Sequence, residues 1–174
     1  MRIFKIVLVL MMAIGLSACA TSKIKSYNGP NVTRIEVHKS ARKMYLLHGR
    51  KLLKEYDIAL GGNPVGHKQF EGDRKTPEGT YYIDRINPNS RFHLSVGLSY
   101  PNPADRAFAH SQGRSPGGDI FIHGENGFNK NAPRDWTDGC IAVTAPGDRC
   151  RDWRAWRSKS ALRRSLRGCN LCWR

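Results

Sequence analysis

Two short segments carry the residue types that could do covalent chemistry. Asp119-Ile120-Phe121-Ile122-His123-Gly124 is an apolar run ending in His-Gly. Trp136-Thr137-Asp138-Gly139-Cys140-Ile141-Ala142-Val143 is a turn ending in a cysteine that opens a second apolar run. A histidine at the end of one strand and a cysteine at the start of its neighbour can meet at one rim of a sheet. A free thiol ionises near pH 8.5, and the thiolate is the attacking species. An adjacent imidazole can take the thiol proton during attack and return it to a leaving amine. Gly139 can adopt a positive φ and lets a substrate carbonyl approach the backbone. The N–H groups of Gly139 and Cys140 could then face the oxyanion of a tetrahedral intermediate. Taken singly, a cysteine reads as a small buried hydrophobe and a histidine as a structural side chain. Their joint placement makes Cys140 the candidate nucleophile and His123 the candidate base.

These segments need a β scaffold, and the preceding sequence supplies one. Ile35 and Val37 alternate with Arg34, Glu36 and His38. A run at 44–47, a polar turn holding Gly49 and a run at 52–60 read as a hairpin. Further β-like runs lie at 80–83, 92–98, 120–122 and 140–143. They are separated by Asn63-Pro64, Thr76-Pro77-Glu78-Gly79, Asn87-Pro88-Asn89 and Ser115-Pro116-Gly117-Gly118. One helix is expected, capped by Asn102, with Pro103 in its first turn and Gly113 ending it. The body reads as mainly β, closing as a sandwich or barrel rather than as βαβ units.

The motifs resemble the YkuD-type L,D-transpeptidase signature: His-Gly, a loop of about a dozen residues, then Ser/Thr-X-Gly-Cys and an apolar residue. Here it reads His123-Gly124, then Thr137-Asp138-Gly139-Cys140-Ile141. The segment Gly72-Asp73-Arg74-Lys75-Thr76-Pro77-Glu78-Gly79-Thr80 is similar to that family's turn and following strand. The segments 92–106 and 116–123 are similar too. The resemblance covers about residues 33–144. It implies a YkuD-like β-sandwich with one or two short helices, and acyl transfer on peptidoglycan stem peptides. Cys140 would form a thioester with a tetrapeptide stem, with His123 as base and acid. Gly124 would offer the carbonyl that orients the imidazole. Gly139 would serve the oxyanion, and Thr137 and Asp138 would lie on the substrate side. The resemblance implies no metal or other cofactor, and carbapenems as covalent inhibitors. Two positions depart from the pattern. Asp138 stands where many members have histidine, and Ala142 stands where many have arginine. A carboxylate beside the nucleophile would repel a thiolate, so Asp138 is expected to point away or to hold the loop.

The chain of 174 residues is long enough for one ordinary domain and too short for two. Residues 1–18 carry Arg2 and Lys5, an apolar stretch from 6 to 16, and small residues before Cys19, the order of a secretory signal peptide. Leu16-Ser17-Ala18-Cys19 resembles the lipobox of bacterial lipoproteins, which implies lipid attachment at Cys19 and a membrane anchor. Ala20 after the cysteine implies an outer-membrane, periplasm-facing location. Residues 19–32 read as a tether. The net charge of +15 suits nucleic acid, anionic lipid or an anionic polymer. Export argues against nucleic acid and leaves anionic envelope partners, peptidoglycan stems and teichoic or lipid phosphates.

Residues 145–174 change character. They hold nine basic and two acidic residues and three of the five cysteines, Cys150, Cys169 and Cys172. No β-like run is evident there to complete the sheet. Three readings stand open: a zinc site built on those cysteines, a basic membrane-surface helix over 152–166, or a shifted reading frame after Thr144 that replaces the final helix and strand. For function, an L,D-transpeptidase stands beside a hydrolase on the same scaffold and a non-catalytic peptidoglycan-binding lipoprotein.

Overall fold

The computed structural model describes residues 29–92, 94–124, 133–144 and 170–173. The signal-peptide, tether and Cys19 readings lie outside this set, apart from the tether's last residues. The putting-together of Cys150 and Cys169 in a zinc site, and the basic helix, lie outside it as well.

Eight strands and one helix are described. The strands are β1 (Arg34–His38), β2 (Lys43–His48), β3 (Lys51–Ala59), β4 (Ile83–Asn87), β5 (Ser95–Leu98), β6 (Phe121–Gly124), β7 (Ile141–Thr144) and β8 (Asn170–Trp173), with α1 (Pro103–Ser111) between β5 and β6. They form one mixed sheet in the order β4-β5-β6-β7-β3-β2-β1-β8. The sheet curls, so that apolar side chains from β1, β2, β3, β5, β6 and β7 meet in one core. Ile35, Val37, Met44, Leu46, Val96, Leu98, Ile122 and Ile141 are all fully buried there. The mainly β fold therefore stands, with the alternation of β1 locking its register: Ile35 and Val37 face in while their neighbours stay part-exposed.

The β2–β3 hairpin turns at Gly49, whose φ of +57° suits glycine. Helix α1 begins where the sequence places it. Asn102 accepts the N–H of Asp105 at 3.0 Å, and the Asp105 carboxylate accepts the N–H of Asn102 at 2.8 Å, a reciprocal cap on two otherwise unpaired donors. Asp105 also binds the Tyr81 hydroxyl at 3.0 Å and His67 Nε2 at 3.0 Å. The cap thus ties the helix to the segment before β4.

Three expectations move. The run at 80–83 is not a strand of its own; β4 starts at Ile83, and Tyr81 enters the core instead. The run at 92–98 pairs only from Ser95, because Ser90 accepts the N–H of Phe92 and holds that stretch as a loop. The tail does contain a strand: β8 lies parallel to β1, from Arg34↔Asn170 to Val37↔Trp173. Its four residues are too few to show a period in sequence, and its partner is more than 130 residues away.

Candidate active site

Strands β6 and β7 are adjacent and parallel, with His123 opposite Ala142 and Ile122 opposite Ile141. That register sets Cys140, one residue before β7, beside Phe121. The Phe121 N–H donates to Cys140 Sγ at 3.4 Å, and the thiol points to the Asp119 carbonyl at 3.6 Å. His123 and Cys140 both line one cleft of about 410 Å³, with Asn87, Asn89, Ser90, Arg91, Phe92, Ser95 and Phe121. The two residues expected to meet are thus brought to the same opening.

The imidazole is held on several sides. Its Nδ1 lies 2.8 Å from the Gly124 carbonyl. A carbonyl only accepts, so Nδ1 carries the proton and Nε2 of the neutral ring keeps its lone pair. Phe92 stacks on the ring at 4.4 Å between centroids and 27° between planes. Trp136 meets it edge-on at 5.9 Å and 65°. Burial pushes the His123 pKa below its ordinary 6.5, against the Gly124 contact that raises it. Burial also pushes the Cys140 thiol up, with Asp138 and Asp119 adding to the rise and the Phe121 N–H opposing it. At neutral pH the resting pair is therefore a neutral thiol and a neutral imidazole, rather than a standing ion pair.

The turn that presents the cysteine is built by Thr137. Its hydroxyl donates to the Cys140 carbonyl at 2.7 Å and accepts the Gly139 N–H at 3.2 Å. Its backbone bridges to Leu60 and Gly62 beyond β3. Asp135, just upstream, takes a two-point contact from Arg42, at 2.9 and 2.7 Å, and the Leu60 N–H at 3.0 Å. Gly139 has a φ of +130°, and a Cβ there would lie 2.7 Å from the Lys75 carbonyl. Glycine is required because the 72–80 segment packs directly beneath the nucleophile. That segment is itself pinned: Asp73 accepts Lys68 at 2.8 Å and the N–H groups of Gln69, Phe70 and Lys75.

Two expected roles change with these contacts. The Gly139 N–H is committed to the Thr137 hydroxyl, so it is not a free oxyanion donor; the Cys140 N–H remains the candidate. Thr137 is buried and spends its hydroxyl inside the turn, so it holds the site and does not face substrate. Asp138 is 95% exposed and lies 3.5 Å from Arg74. Neither Thr137 nor Asp138 lines the cleft. Arg91, Phe92 and Trp136 have no assigned role in the sequence reading. Their positions depend on the fold of the β4–β5 loop and the β6–β7 connection, and no spacing rule announces them.

Comparison with known proteins agrees with this architecture. The family model of the L,D-transpeptidase catalytic domain, YkuD, matches residues 32–148. The protein YafK of Escherichia coli (strain K12), provisionally named an L,D-transpeptidase, is 31% identical over 119 residues, covering 65% of this chain and 43% of YafK. This chain thus spans less than half the length of that relative. Among solved structures, the helical cell shape determining protein Pgp2 from Campylobacter jejuni aligns with a TM-score of 0.59 at 24% identity, covering 88% of this chain and 51% of Pgp2. Bd1075 of Bdellovibrio bacteriovorus aligns with a TM-score of 0.51 at 22% identity, covering 87% of this chain and 50% of Bd1075. With the family model spanning two thirds of its length, the chain belongs to the YkuD family of L,D-transpeptidase catalytic domains.

Proposed function

We propose that the protein is a cysteine acyltransferase acting on peptidoglycan tetrapeptide stems, with Cys140 as nucleophile and His123 as base. The observation that carries this reading is the shared cleft, together with the Gly124 carbonyl that leaves Nε2 of His123 free to take a proton.

The steps balance on these residues. As Sγ attacks the carbonyl carbon of the diaminopimelate–D-alanine bond, the thiol proton passes to Nε2. The tetrahedral oxyanion falls near the Cys140 N–H. Collapse breaks the C–N bond, His123 returns the proton to the leaving amine, and a thioester remains on Cys140. An acceptor amine then loses a proton to His123 and attacks the thioester, restoring the thiol. Water in place of the amine would make the same site a hydrolase. The raised thiol and lowered imidazole pKa values favour proton transfer concerted with attack.

A carbapenem offers its lactam carbonyl to the same sulfur. Full-length protein purified in detergent and incubated with meropenem should gain the mass of one molecule, and Cys140→Ala should abolish the gain. An unmodified mass from folded wild-type protein would remove the catalytic reading and leave a peptidoglycan-binding module. Analysis of the products from purified stem peptides separates cross-linking from hydrolysis. The envelope location rests on the sequence of residues 1–19: we propose an outer-membrane lipoprotein anchored at Cys19 and facing the periplasm. Cys19→Ala should release the protein from membranes.

A further inference from the structure

We propose that Asn87 and Ser95 form, beside His123, a subsite that binds the acyl side of the donor peptide while Cys140 attacks. This inference rests on the acyl-transfer reading above and adds the part of the substrate that the cleft recognises.

Strand register sets these residues in one row. Asn87 is opposite Ser95 in the antiparallel β4–β5 pair, and Ser95 is opposite His123 in the antiparallel β5–β6 pair. Residues opposite one another in a sheet project from the same face. The adjacent row, Ile86, Val96, Ile122 and Ile141, projects from the other face and packs in the core. Asn87, Ser95 and His123 all line the cleft that holds Cys140.

The row offers uncommitted hydrogen-bonding groups. Ser95 is 5% exposed, and its hydroxyl has no hydrogen-bond partner among the described residues. Leaving a buried hydroxyl unpaired is costly, so a ligand atom that pairs with it gains affinity. Asn87 spends its side-chain oxygen on the Asn89 N–H at 2.9 Å, which leaves its two N–H donors uncommitted. A hydroxyl that both donates and accepts, beside an amide donor, suits the C=O and N–H groups of a peptide backbone. The other row across the cleft face is occupied. Arg85 is opposite Gly97, where a Cβ would lie 2.5 Å from the Arg85 side chain. Arg85 covers the Phe121 ring at 4.8 Å and pairs with Asp119 at 3.1 Å. The polar path away from the base therefore runs from Ser95 to Asn87.

The length of that path selects the part of the donor. Neighbouring strands lie about 4.8 Å apart, so the row from His123 to Asn87 spans roughly 9–10 Å. An extended chain rises about 3.3 Å per residue, so the row takes about three residues. The leaving side of a tetrapeptide donor is a single residue and stops short of Asn87. The acyl side has the length to reach it.

The test compares two donors, the tetrapeptide stem and the diaminopimelate–D-alanine dipeptide that lacks the rest of the acyl side. Thioester formation on Cys140 of the full chain in detergent is followed by intact mass at several donor concentrations, without an acceptor amine. Wild type should prefer the tetrapeptide by about tenfold or more, as two hydrogen bonds allow. Ser95→Ala should cut that preference by about two- to tenfold, the loss of one neutral hydrogen bond, mainly by raising KM for the tetrapeptide. Asn87→Asp keeps the acceptor for the Asn89 N–H, removes the donors and should cut the preference similarly. Iodoacetamide labelling and the melting temperature report whether each variant keeps an accessible thiol and a fold. If Ser95→Ala does not fold, Asn87→Asp, at an exposed position, decides the matter. A purely structural role would slow both donors alike and leave the preference intact, which overturns the subsite. So does a wild type that acylates equally with both donors, or a loss confined to the later step with an acceptor amine. If neither donor acylates folded wild type, the parent reading fails and this inference falls with it.

Discussion

At the scale of single residues, the cleft brings together a thiol that is hard to ionise and an imidazole that is hard to protonate. Burial holds the Cys140 thiol above its ordinary pKa of 9.0 and the His123 imidazole below 6.5. A preformed thiolate–imidazolium pair would be labelled rapidly by alkylating agents in mildly acidic solution. Here iodoacetamide labelling of Cys140 should climb with pH and keep climbing beyond pH 9. Carbapenem acylation needs the neutral imidazole instead, so it should fall only as pH drops through a value below 6.5 and stay level from neutrality to mild alkali. Stopped-flow acylation across pH 5–9 checks this. Fast labelling near pH 6, or an acid limb above pH 7, would contradict the neutral resting pair. The placing of His123 and Cys140 at one cleft was legible in the sequence from the His-Gly and Gly-Cys segments taken together. The stacking of His123 on Phe92 was not, because that contact joins a loop to a strand from different parts of the chain.

At the scale of elements, the cysteine is presented by a turn whose parts come from three places. Thr137 closes the turn on itself, Asp135 ties it to Arg42 and Leu60, and the 72–80 segment lies beneath Gly139. Gly139→Ala would force a side chain into a positive φ and against a backbone carbonyl. The expected cost is at least about 1–3 kcal/mol of stability, seen as a lower denaturation midpoint. The displaced turn should also slow carbapenem acylation by roughly 100-fold, as small misplacements of reacting groups do. Wild-type stability and acylation in this variant would show that the turn does not need glycine. The turn was readable as a motif, but the role of Thr137 was not. A threonine in a Ser/Thr-X-Gly-Cys run looks the same in sequence whether it faces substrate or its own backbone.

At the scale of the whole molecule, the sheet has two ends, β4 and β8. The β4 edge carries Asp84 and Arg85, charges that discourage pairing with another chain. The other end is covered by β8, which satisfies the open side of β1. Ending the chain at residue 148 would leave β1 as an exposed edge. We expect this truncation to melt several degrees lower and to self-associate, measurable by calorimetry and light scattering. Unchanged melting and a clean monomer would mean that β8 contributes nothing to the fold. The tail's composition hid this pairing, because a four-residue strand has almost no pattern of its own and gains its identity from the partner it meets.

By itself, the sequence determined the local choices: the alternating strands, the Asn102 cap, the glycine at 139, and the His-Gly and Gly-Cys pair that announces thiol chemistry. Each depends on neighbours within a few positions, where propensity and backbone freedom act directly. Tertiary structure alone decided that the Gly139 N–H is committed to Thr137, which side chains line the cleft with His123 and Cys140, and that the tail supplies an edge strand. Those outcomes turn on hydrogen-bond partners and packing between segments tens of residues apart, and a donor's availability is known only once every competing acceptor has been placed around it.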